Sequence, residues 1–252
     1  MSDPFLGAVL LFTVGLVAGV VNVIAGGGSF LTVPLMIFLG LPATVANGTN
    51  RLAIITQNVG AVWTFQKKKL IAREWLLLGA PPSVLGAVLG TVAAVEIGDL
   101  AFQRVLALMM VALTAYTVWR PLPDVSDATG ALPTGGRRLA FLLGFFLVGF
   151  YGGFIQAGVG FLVLAVTSAG GLDLIRGNAV KVTLLLIFTP LTLVLFAANG
   201  KVDWAMAVWL AAGNYLGGLA GVHLQVLKGH AWVRNVVTAM IVVFAVKLLL
   251  GS

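Results

Sequence analysis

Cysteine is absent from the 252-residue chain, and histidine occurs only twice. These absences exclude disulfide frameworks, thiolate nucleophiles, iron–sulfur clusters and cysteine-based zinc sites, so no metal or other cofactor is expected. Charged residues are also scarce, at 9% of the chain against about 25% in soluble domains. Because 60% of the residues are hydrophobic, a water-soluble fold is excluded, and the composition predicts an all-α integral membrane protein.

The few charges that are present sum to +7. A nucleic-acid-binding protein would gather such charge on one basic face with stacking aromatics. Here the cations lie in short loops between apolar runs, where the positive-inside rule places them. We therefore expect a lipid bilayer around the chain and no nucleic-acid partner. The first apolar run lacks the basic flank of a signal peptide and is expected to be a retained span in the inner membrane.

Apolar runs between the charges predict the membrane spans. The first run carries no charge from Phe5 to Asn50, but a glycine-rich break at 25–29 separates it from a short apolar piece at 30–41. Spans at 45–66, 76–95 and 101–119 follow, and the pattern restarts at 139–157 with a glycine break at 158–160, a short piece at 161–172 and spans at 178–199, 204–227 and 232–250. The predicted organisation is a first membrane repeat at 1–120, a cytoplasmic linker at 121–138 and a second membrane repeat at 139–252.

The two halves align without a gap at an offset of 131 positions. At this offset Gly27 meets Gly158 and Asn47 meets Asn178, so both glycine breaks and a polar position coincide. The pattern predicts two repeats of about five helical segments each, with one broken or short helix in each half.

Loop charges predict that the two repeats have inverted topology. The loop at 67–73 holds three lysines and an arginine, whereas its counterpart at 201–203 is neutral. The loop at 96–104 is net acidic, whereas its counterpart at 228–234 is cationic. Opposite bias in equivalent loops is expected of halves inserted in opposite orientations, with the loop at 67–73 cytoplasmic and both termini periplasmic. Whether the short pieces span the membrane or re-enter is left open.

Inverted repeats with matching broken helices are typical of transporters whose site lies at the repeat interface. The N-terminus of a broken helix presents free N–H groups and about half a positive charge, so it binds anions. Two such termini, after Gly27-Gly28-Ser29 and after Gly158-Val159-Gly160, would form a cradle of amides if they face each other. The alternative is that the glycines only permit close helix packing.

Polar residues near the breaks complete the predicted site. Arg51 and Lys181 are cations inside predicted spans, where an ionised group is costly and faces a partner or a polar cavity unless it snorkels to the surface. Asn22 and Gln156 flank the breaks and would donate to a ligand or satisfy carbonyls that the breaks free. The predicted substrate-binding residues are Asn22, Gly27, Gly28, Ser29, Asn47, Thr49, Asn50, Arg51, Gln156, Gly158, Gly160, Asn178 and Lys181.

The first broken helix also carries a family resemblance. The stretch Ala-Gly-Gly-Gly-Ser-Phe-Leu-Thr-Val-Pro-Leu at 25–35, followed by Gly-Leu-Pro at 40–42 and Ala-Asn-Gly-Thr-Asn at 46–50, resembles the TauE/SafE (sulfite exporter, TSUP) transporter family. In the second half, Ala-Gly-Val-Gly at 157–160 replaces the glycine triplet. The resemblance implies an inner-membrane protein that moves sulfite, organosulfonates or related anions, and it is the only source of the sulfur chemistry.

These observations together predict a secondary transporter that exports small sulfur-containing oxyanions. The alternatives are a passive anion channel and a carrier for another small organic anion. An intramembrane enzyme is not expected, because no carboxylate pair, Ser-Lys pair or histidine cluster lies within the spans. A third possibility is an assembly factor for another membrane protein. The identity of the anion, the coupling ion and the oligomeric state, including a homo-oligomer, are left open.

Overall fold

The computed structural model describes residues 4–24, 26–119 and 132–228. Over these ranges the secondary structure is entirely helical, which confirms the predicted all-α class. The helices are α1 (Pro4–Ile24), α2 (Ser29–Phe38), α3 (Ala43–Lys67), α4 (Arg73–Glu96), α5 (Asp99–Trp119), α6 (Gly135–Phe154), α7 (Val159–Ala169), α8 (Leu174–Ala198) and α9 (Trp204–Lys228). The predicted span at 232–250 lies outside the described residues.

Five of these helices, α1, α4, α6, α8 and α9, are long and apolar enough to cross a membrane by themselves. Helices suit a bilayer because all of their backbone hydrogen bonds are internal. The main departures from the predicted bounds are the starts of α6 and α8, at Gly135 and Leu174 rather than at residues 139 and 178. The first turn of α6 contains Arg137 and Arg138, which were assigned to the linker, because a helix can continue beyond its apolar part.

The helix bounds repeat at the offset that the sequence predicts. The first residues of α1 and α6, Pro4 and Gly135, are 131 positions apart, and so are the first residues of α4 and α9, Arg73 and Trp204. The last residues of α3 and α8 are separated by the same interval. Each half therefore contains the same succession of a long helix, a short helix and further long helices.

Helices of one half pack mainly against helices of the other. The most extensive contacts join α1 to α9 and α4 to α6. A Cβ added at Gly213 or Gly217 of α9 would overlap the carbonyl oxygens of Phe12 or Leu16 of α1. Small residues at such positions let two helix backbones touch. Because residue numbers increase in the same direction along both helices at these contacts, α1 and α9 run in parallel.

The equivalent pair, α4 and α6, is built in the same way. A Cβ added at Gly149 or Gly153 of α6 would overlap the carbonyl oxygens of Ser83 or Ala87 of α4. These two helices therefore also run in parallel. The exchange of partners, first helix of one half with fourth helix of the other, is reciprocal.

One end of the bundle is marked by the loop after α8, and we call it the Lys201 end. The Lys201 Nζ donates to the Thr44 hydroxyl at 3.1 Å, and the Asp203 N–H donates to the Thr49 hydroxyl at 2.9 Å. Asp99, which begins α5, accepts from the Thr44 hydroxyl and N–H at 2.6 and 2.9 Å. The start of α3 and the end of α8 are thus neighbours, so these two equivalent helices run antiparallel.

The opposite end, which we call the Trp75 end, holds the starts of α4 and α6. The Trp75 ring packs edge-on against Phe141 with their centroids 5.7 Å apart, and it also lies against Gly170, just after α7. Because α7 follows α6 by a few residues and ends where α6 began, the two form a re-entrant hairpin. By the same reasoning α1 starts at the Lys201 end and α2 returns to it.

Matched helices therefore run in opposite directions in the two halves. This arrangement favours the inverted-repeat prediction and shows the short helices as the returning arms of hairpins. The orientation of the halves in a bilayer, with both termini periplasmic, stays a prediction.

Candidate functional site

All of the residues predicted to bind substrate are buried inside the bundle. The most exposed of the polar ones, Asn22, has 5% of its surface accessible, and Arg51 has none. The buried set comprises Asn22, Gly27, Gly28, Ser29, Asn47, Thr49, Asn50, Arg51, Gln156, Gly158, Gly160, Asn178 and Lys181. Snorkelling of Arg51 or Lys181 to the surface, which was the alternative at the sequence level, is therefore wrong.

The two helix breaks meet at the centre of the bundle. Gly26 has a φ of +88°, and a Cβ added to it would lie 2.7 Å from the Gly160 Cα. Gly158 has a φ of +78° and is covered by the ring of Phe30. The N-terminal ends of α2 and α7 are thus brought together, as the sequence predicts. The same contacts also fit the packing alternative, and a ligand-binding role for these glycines stays a prediction.

Arg51 of α3 caps the C-terminal end of α6, the helix before the break in the second half. Its Nη2 donates to the carbonyl oxygen of Gly153 at 2.5 Å and, more weakly, to that of Gly152 at 3.4 Å. Its Nη1 donates to the Gln156 Oε1 at 3.0 Å and to the Thr192 hydroxyl at 2.6 Å. The guanidinium therefore lies against the C-terminal carbonyls of α6, and its partners are backbone and neutral side-chain oxygens.

Lys181 of α8 has the equivalent position at the broken helix of the first half. Its Nζ donates to the carbonyl oxygens of Asn22 and Val23 at 3.0 and 2.9 Å, just before α1 ends at Ile24. A cation is favourable there because the carboxyl end of a helix carries about half a negative charge. Both cations are therefore held by helix carboxyl ends, in addition to their nearness to the starts of α2 and α7.

We call this pair of contacts the cross-caps, because each half supplies the cation that caps the other half's broken helix. In the part of the chain that the structure describes, the one ion pair is the exposed contact of Arg176 with Asp173 at 3.6 Å. Arg51 and Lys181 thus lie in the core without a carboxylate partner. The antiparallel course of α3 and α8 explains the exchange, because it directs each cation toward the hairpin of the other half.

Amide side chains connect the first hairpin to α3. The Asn22 Nδ2 donates to the Gln57 Oε1 at 3.2 Å, and the Gln57 Nε2 donates to the Asn58 Oδ1 at 3.4 Å. Because the Asn22 carbonyl also accepts from Lys181, this chain of contacts joins the cation to the middle of α3. Asn22 and Gln156 therefore satisfy protein groups in this conformation.

The start of α2 is tied to α3 by a second set of side chains. Asn50 donates from Nδ2 to the Ser29 hydroxyl at 2.9 Å and accepts from the Thr32 hydroxyl at 2.6 Å. Asn50 is thus fully paired, and Ser29 is the first residue of α2. These contacts fix the N-terminus of α2 against the span that carries Arg51.

Thr49 is placed apart from the breaks, at the Lys201 end. Its hydroxyl accepts from the Asp203 N–H, so its role in this conformation is to hold the loop after α8. Partial burial by itself would raise the pKa of the neighbouring Asp99 carboxyl, but hydrogen bonds from Thr44 and the charge of Lys201 outweigh that effect. The net result is a pKa of Asp99 below its ordinary value.

Comparison with known proteins identifies the family. The family model described as sulfite exporter TauE/SafE matches residues 11–248. The chain belongs to the TauE/SafE family. This TauE/SafE chain is 29% identical to a probable membrane transporter protein of Haemophilus influenzae, a match that covers 92% of the chain and 90% of the relative.

Two further relatives have similar names. The probable membrane transporter protein YfcA of Escherichia coli K12 is 28% identical, over 100% of this chain and 93% of the relative. The probable membrane transporter protein ORF9 of a Sinorhizobium species is 26% identical, over 95% of this chain and 91% of the relative. No solved structure matches the chain. With five apolar helices of spanning length, this TauE/SafE protein is a multi-pass membrane transporter.

A few buried polar atoms of this TauE/SafE protein have no hydrogen-bond partner among the described residues. In the predicted set they are the Arg51 Nε, the Asn47 Oδ1 and both side-chain atoms of Asn178. Outside it they are the Asn58 Nδ2 and the Ser168 hydroxyl. Buried polar groups are nearly always paired, so each such atom calls for an explanation. A polar ligand would supply one.

Two residues that contact Arg51 were missed at the sequence level. Thr192 accepts from the guanidinium, and the ring of Phe196 lies 4.4 Å from the Arg51 Cζ. Both belong to α8, one and two turns beyond Thr189, which receives a 3.4 Å bond from the Gln156 Nε2. No sequence signal marks Thr192, because the 131-residue offset pairs it with Ala61. Only the crossing of α3 and α8 brings it to Arg51.

Proposed function

We propose that the protein is a secondary transporter that exports small sulfur-containing oxyanions, such as sulfite or an organosulfonate, across the inner membrane. The observation that carries the proposal is the pair of cross-caps, two buried cations without a carboxylate partner in the described part of the chain. Intramembrane ionisable residues are costly and mark substrate pathways.

A charge balance around the breaks supports an anionic substrate. The carboxyl ends of α1 and α6 offset about half a charge each, but the amino ends of α2 and α7 add about the same amount of positive charge. The two side-chain charges of Arg51 and Lys181 are therefore left over in a low-dielectric core. A small anion between the breaks would neutralise part of this charge.

The unpaired donors favour an oxyanion over a halide. The Arg51 Nε–H is a buried donor with no partner among the described residues. At the starts of α2 and α7, the N–H groups of four residues already donate to turn carbonyls, namely those of Phe30, Leu31, Val159 and Phe161. The Ser29 and Gly160 N–H groups make no backbone hydrogen bond among the described residues and add two donors. Several separate donors suit a group with several oxygens, and the sulfur chemistry is supported by the description of the family.

The contact between the breaks favours a carrier over a passive channel, which is the alternative. Gly26 lies against Gly160, and Phe30 covers Gly158. A protein closed at its centre must rearrange before an ion passes, as an alternating-access carrier does. We place the loop at 67–73 in the cytoplasm and the Lys201 end in the periplasm, with lipid against the exposed apolar side chains.

Transport in proteoliposomes tests the proposal. Vesicles with purified protein are loaded with sulfite, taurine, sulfoacetate, acetate or chloride, and efflux is followed with and without counter-anion. We expect saturable efflux with counterflow for a sulfur oxyanion, and loss of that flux in Lys181→Met. The matched control is Arg176→Met on the same helix, because the Arg176 side chain is 56% exposed and pairs with Asp173.

Two results would contradict the proposal. Equal flux of sulfite, acetate and chloride without saturation would indicate the passive channel. Selective flux of acetate with none of sulfite or the sulfonates would indicate a carrier for another organic anion.

A further inference from the structure

The two cross-caps use different side chains, although the helix order is the same in both halves. At the end of α6, three side chains share the carbonyls: Arg51 and the Thr91 hydroxyl donate to Gly153, and the Asn47 Nδ2 donates to Phe154 at 2.9 Å. At the end of α1, Lys181 alone takes both carbonyls, those of Asn22 and Val23.

The repeat offset pairs the parts of these two caps. Asn178 is the counterpart of Asn47, and Val23 is the counterpart of Phe154, each separated by 131 positions. In the second-half hairpin the asparagine holds the carbonyl. In the first-half hairpin the equivalent carbonyl, that of Val23, accepts from Lys181, and Asn178 has no hydrogen-bond partner among the described residues.

Asn178 therefore has the position of a capping residue but caps no carbonyl among the described residues. Its side chain is fully buried, and neither its Nδ2 nor its Oδ1 has a partner among the described residues. Leaving a buried amide unpaired is costly, so the position is poorly explained by structure alone. Asn47 shows that an asparagine at this point of the repeat can reach the last carbonyls of the broken helix.

The two cations also differ in how firmly they are held. Arg51 has acceptors on both Nη atoms and a ring beside its guanidinium, that of Phe196. Among the described residues, Lys181 has two acceptors, the Asn22 and Val23 carbonyls, and its ammonium ends a flexible four-carbon side chain. That side chain passes the start of α7, because a Cβ added at Gly160 would lie 3.1 Å from the Lys181 Cδ.

We propose that Lys181 is the cation that moves to the transported anion. Asn178 is a positioning residue that takes the place of Lys181 at the Val23 carbonyl. When an anion enters between the breaks, the Lys181 Nζ leaves the Val23 carbonyl for the anion. The Asn178 Nδ2 then donates to that carbonyl, as Asn47 already does in the other half. Arg51 stays on α6 throughout. This inference rests on the proposed function and assigns its mobile group.

A double-mutant cycle on the anion-free protein tests the replacement without any transported substrate. In the parent, Asn178 caps nothing, so the near-isosteric Asn178→Leu leaves the thermal midpoint in detergent unchanged or higher. In Lys181→Met, Asn178 caps Val23, so the same change lowers the midpoint. Asn47→Leu is the matched control and lowers the midpoint in both backgrounds, because Asn47 is already bonded.

Additive effects of Asn178→Leu and Lys181→Met would overturn the proposal, and so would a drop in midpoint for Asn178→Leu in the parent. Should Lys181→Met fail to fold, transport kinetics provide the second measurement. Asn178→Leu is expected to raise KM about tenfold, the loss of one hydrogen bond in the anion-bound state. An unchanged KM would overturn the role of Asn178.

The same experiments separate this inference from the proposed function. If no anion is transported but the cycle shows coupling between Asn178 and Lys181, the replacement stands and the substrate assignment fails. If a sulfur oxyanion is transported and the cycle is additive, the transporter stands and the replacement fails.

Discussion

Replacing Arg51 with methionine should destabilise the bundle, because Arg51 ties α3 to the other half. Methionine fills a similar volume but removes three hydrogen bonds of 3.0 Å or less, to Gly153, Gln156 and Thr192. Hydrogen bonds between membrane helices average about 0.6 kcal/mol and reach about 1.7 kcal/mol. We expect the free energy of unfolding to fall by about 2–5 kcal/mol.

Desolvation acts in the opposite direction and sets the lower part of that range. Removing a buried cation relieves its own desolvation cost, which is why replacing a whole buried ion pair is sometimes neutral. Here only the cation is removed: the Gln156 Oε1 loses its Arg51 donor, and the Gly153 carbonyl keeps the Thr91 hydroxyl as a side-chain donor at 3.0 Å. The hydrogen bonds that these acceptors lose are therefore expected to outweigh the relief of desolvation.

Arg51→Lys separates charge from geometry. Lysine retains the charge, but one ammonium cannot reproduce the fork that spans Gly153 on one side and Thr192 on the other. We expect this variant to recover less than half of the lost stability.

Unfolding of the purified protein by a graded denaturant in detergent micelles measures both changes. Arg176→Met is the control, because its exposed ion pair with Asp173 should contribute about 1 kcal/mol or less. If Arg51→Met unfolds at the same denaturant concentration as the parent, Arg51 does not cap α6 in the way that we describe.

Three further predictions concern other parts of the bundle. Gly26→Ala should abolish transport, whereas Gly40→Ala should not, because both have positive φ but only Gly26 touches another backbone; equal transport by the two variants in vesicles would refute a role for that contact. The pKa of Asp99 is lowered in the folded protein, so its carboxylate stabilises the fold at pH values above its unfolded pKa of about 4, and this contribution is lost as the pH falls through the folded pKa. The thermal midpoints of Asp99→Asn and the parent should therefore converge below about pH 4, and a difference that stays constant with pH would contradict this prediction. Because the chain has no cysteine, Lys69→Cys and Gly200→Cys can be labelled singly in intact cells; a membrane-impermeant thiol reagent should reach position 200 and not 69, and the reverse pattern would invert the topology.

Much of the fold could be predicted because apolar length alone decides whether a helix crosses a bilayer. The bounds of α3, α4 and α9 lie within three residues of the predicted spans, and the breaks lie where the glycines are. The prediction was less accurate at the starts of α6 and α8, because a helix can begin among polar residues that a hydropathy pattern assigns to a loop.

For the predicted site residues, burial could be foreseen better than hydrogen-bond partners, and their role in binding substrate stays a prediction. Burial of Arg51 and Lys181 was foreseeable, since charges within spans need partners or cavities. Their partners were not, because backbone carbonyls leave no mark in a sequence. The sequence left open whether each cation faces a partner, a polar cavity or the surface, and the structure shows both capping helix carboxyl ends.

The sequence by itself determined the class of protein, the spans, the breaks and the repeat, since each follows from local composition and spacing along one chain. The tertiary structure alone decided that the short helices return rather than cross and that each half's cation caps the other half's broken helix. It also decided that Asn47 is bonded while Asn178 is not. These features depend on which helices lie side by side and in which direction, and two repeats with the same pattern can meet in more than one way.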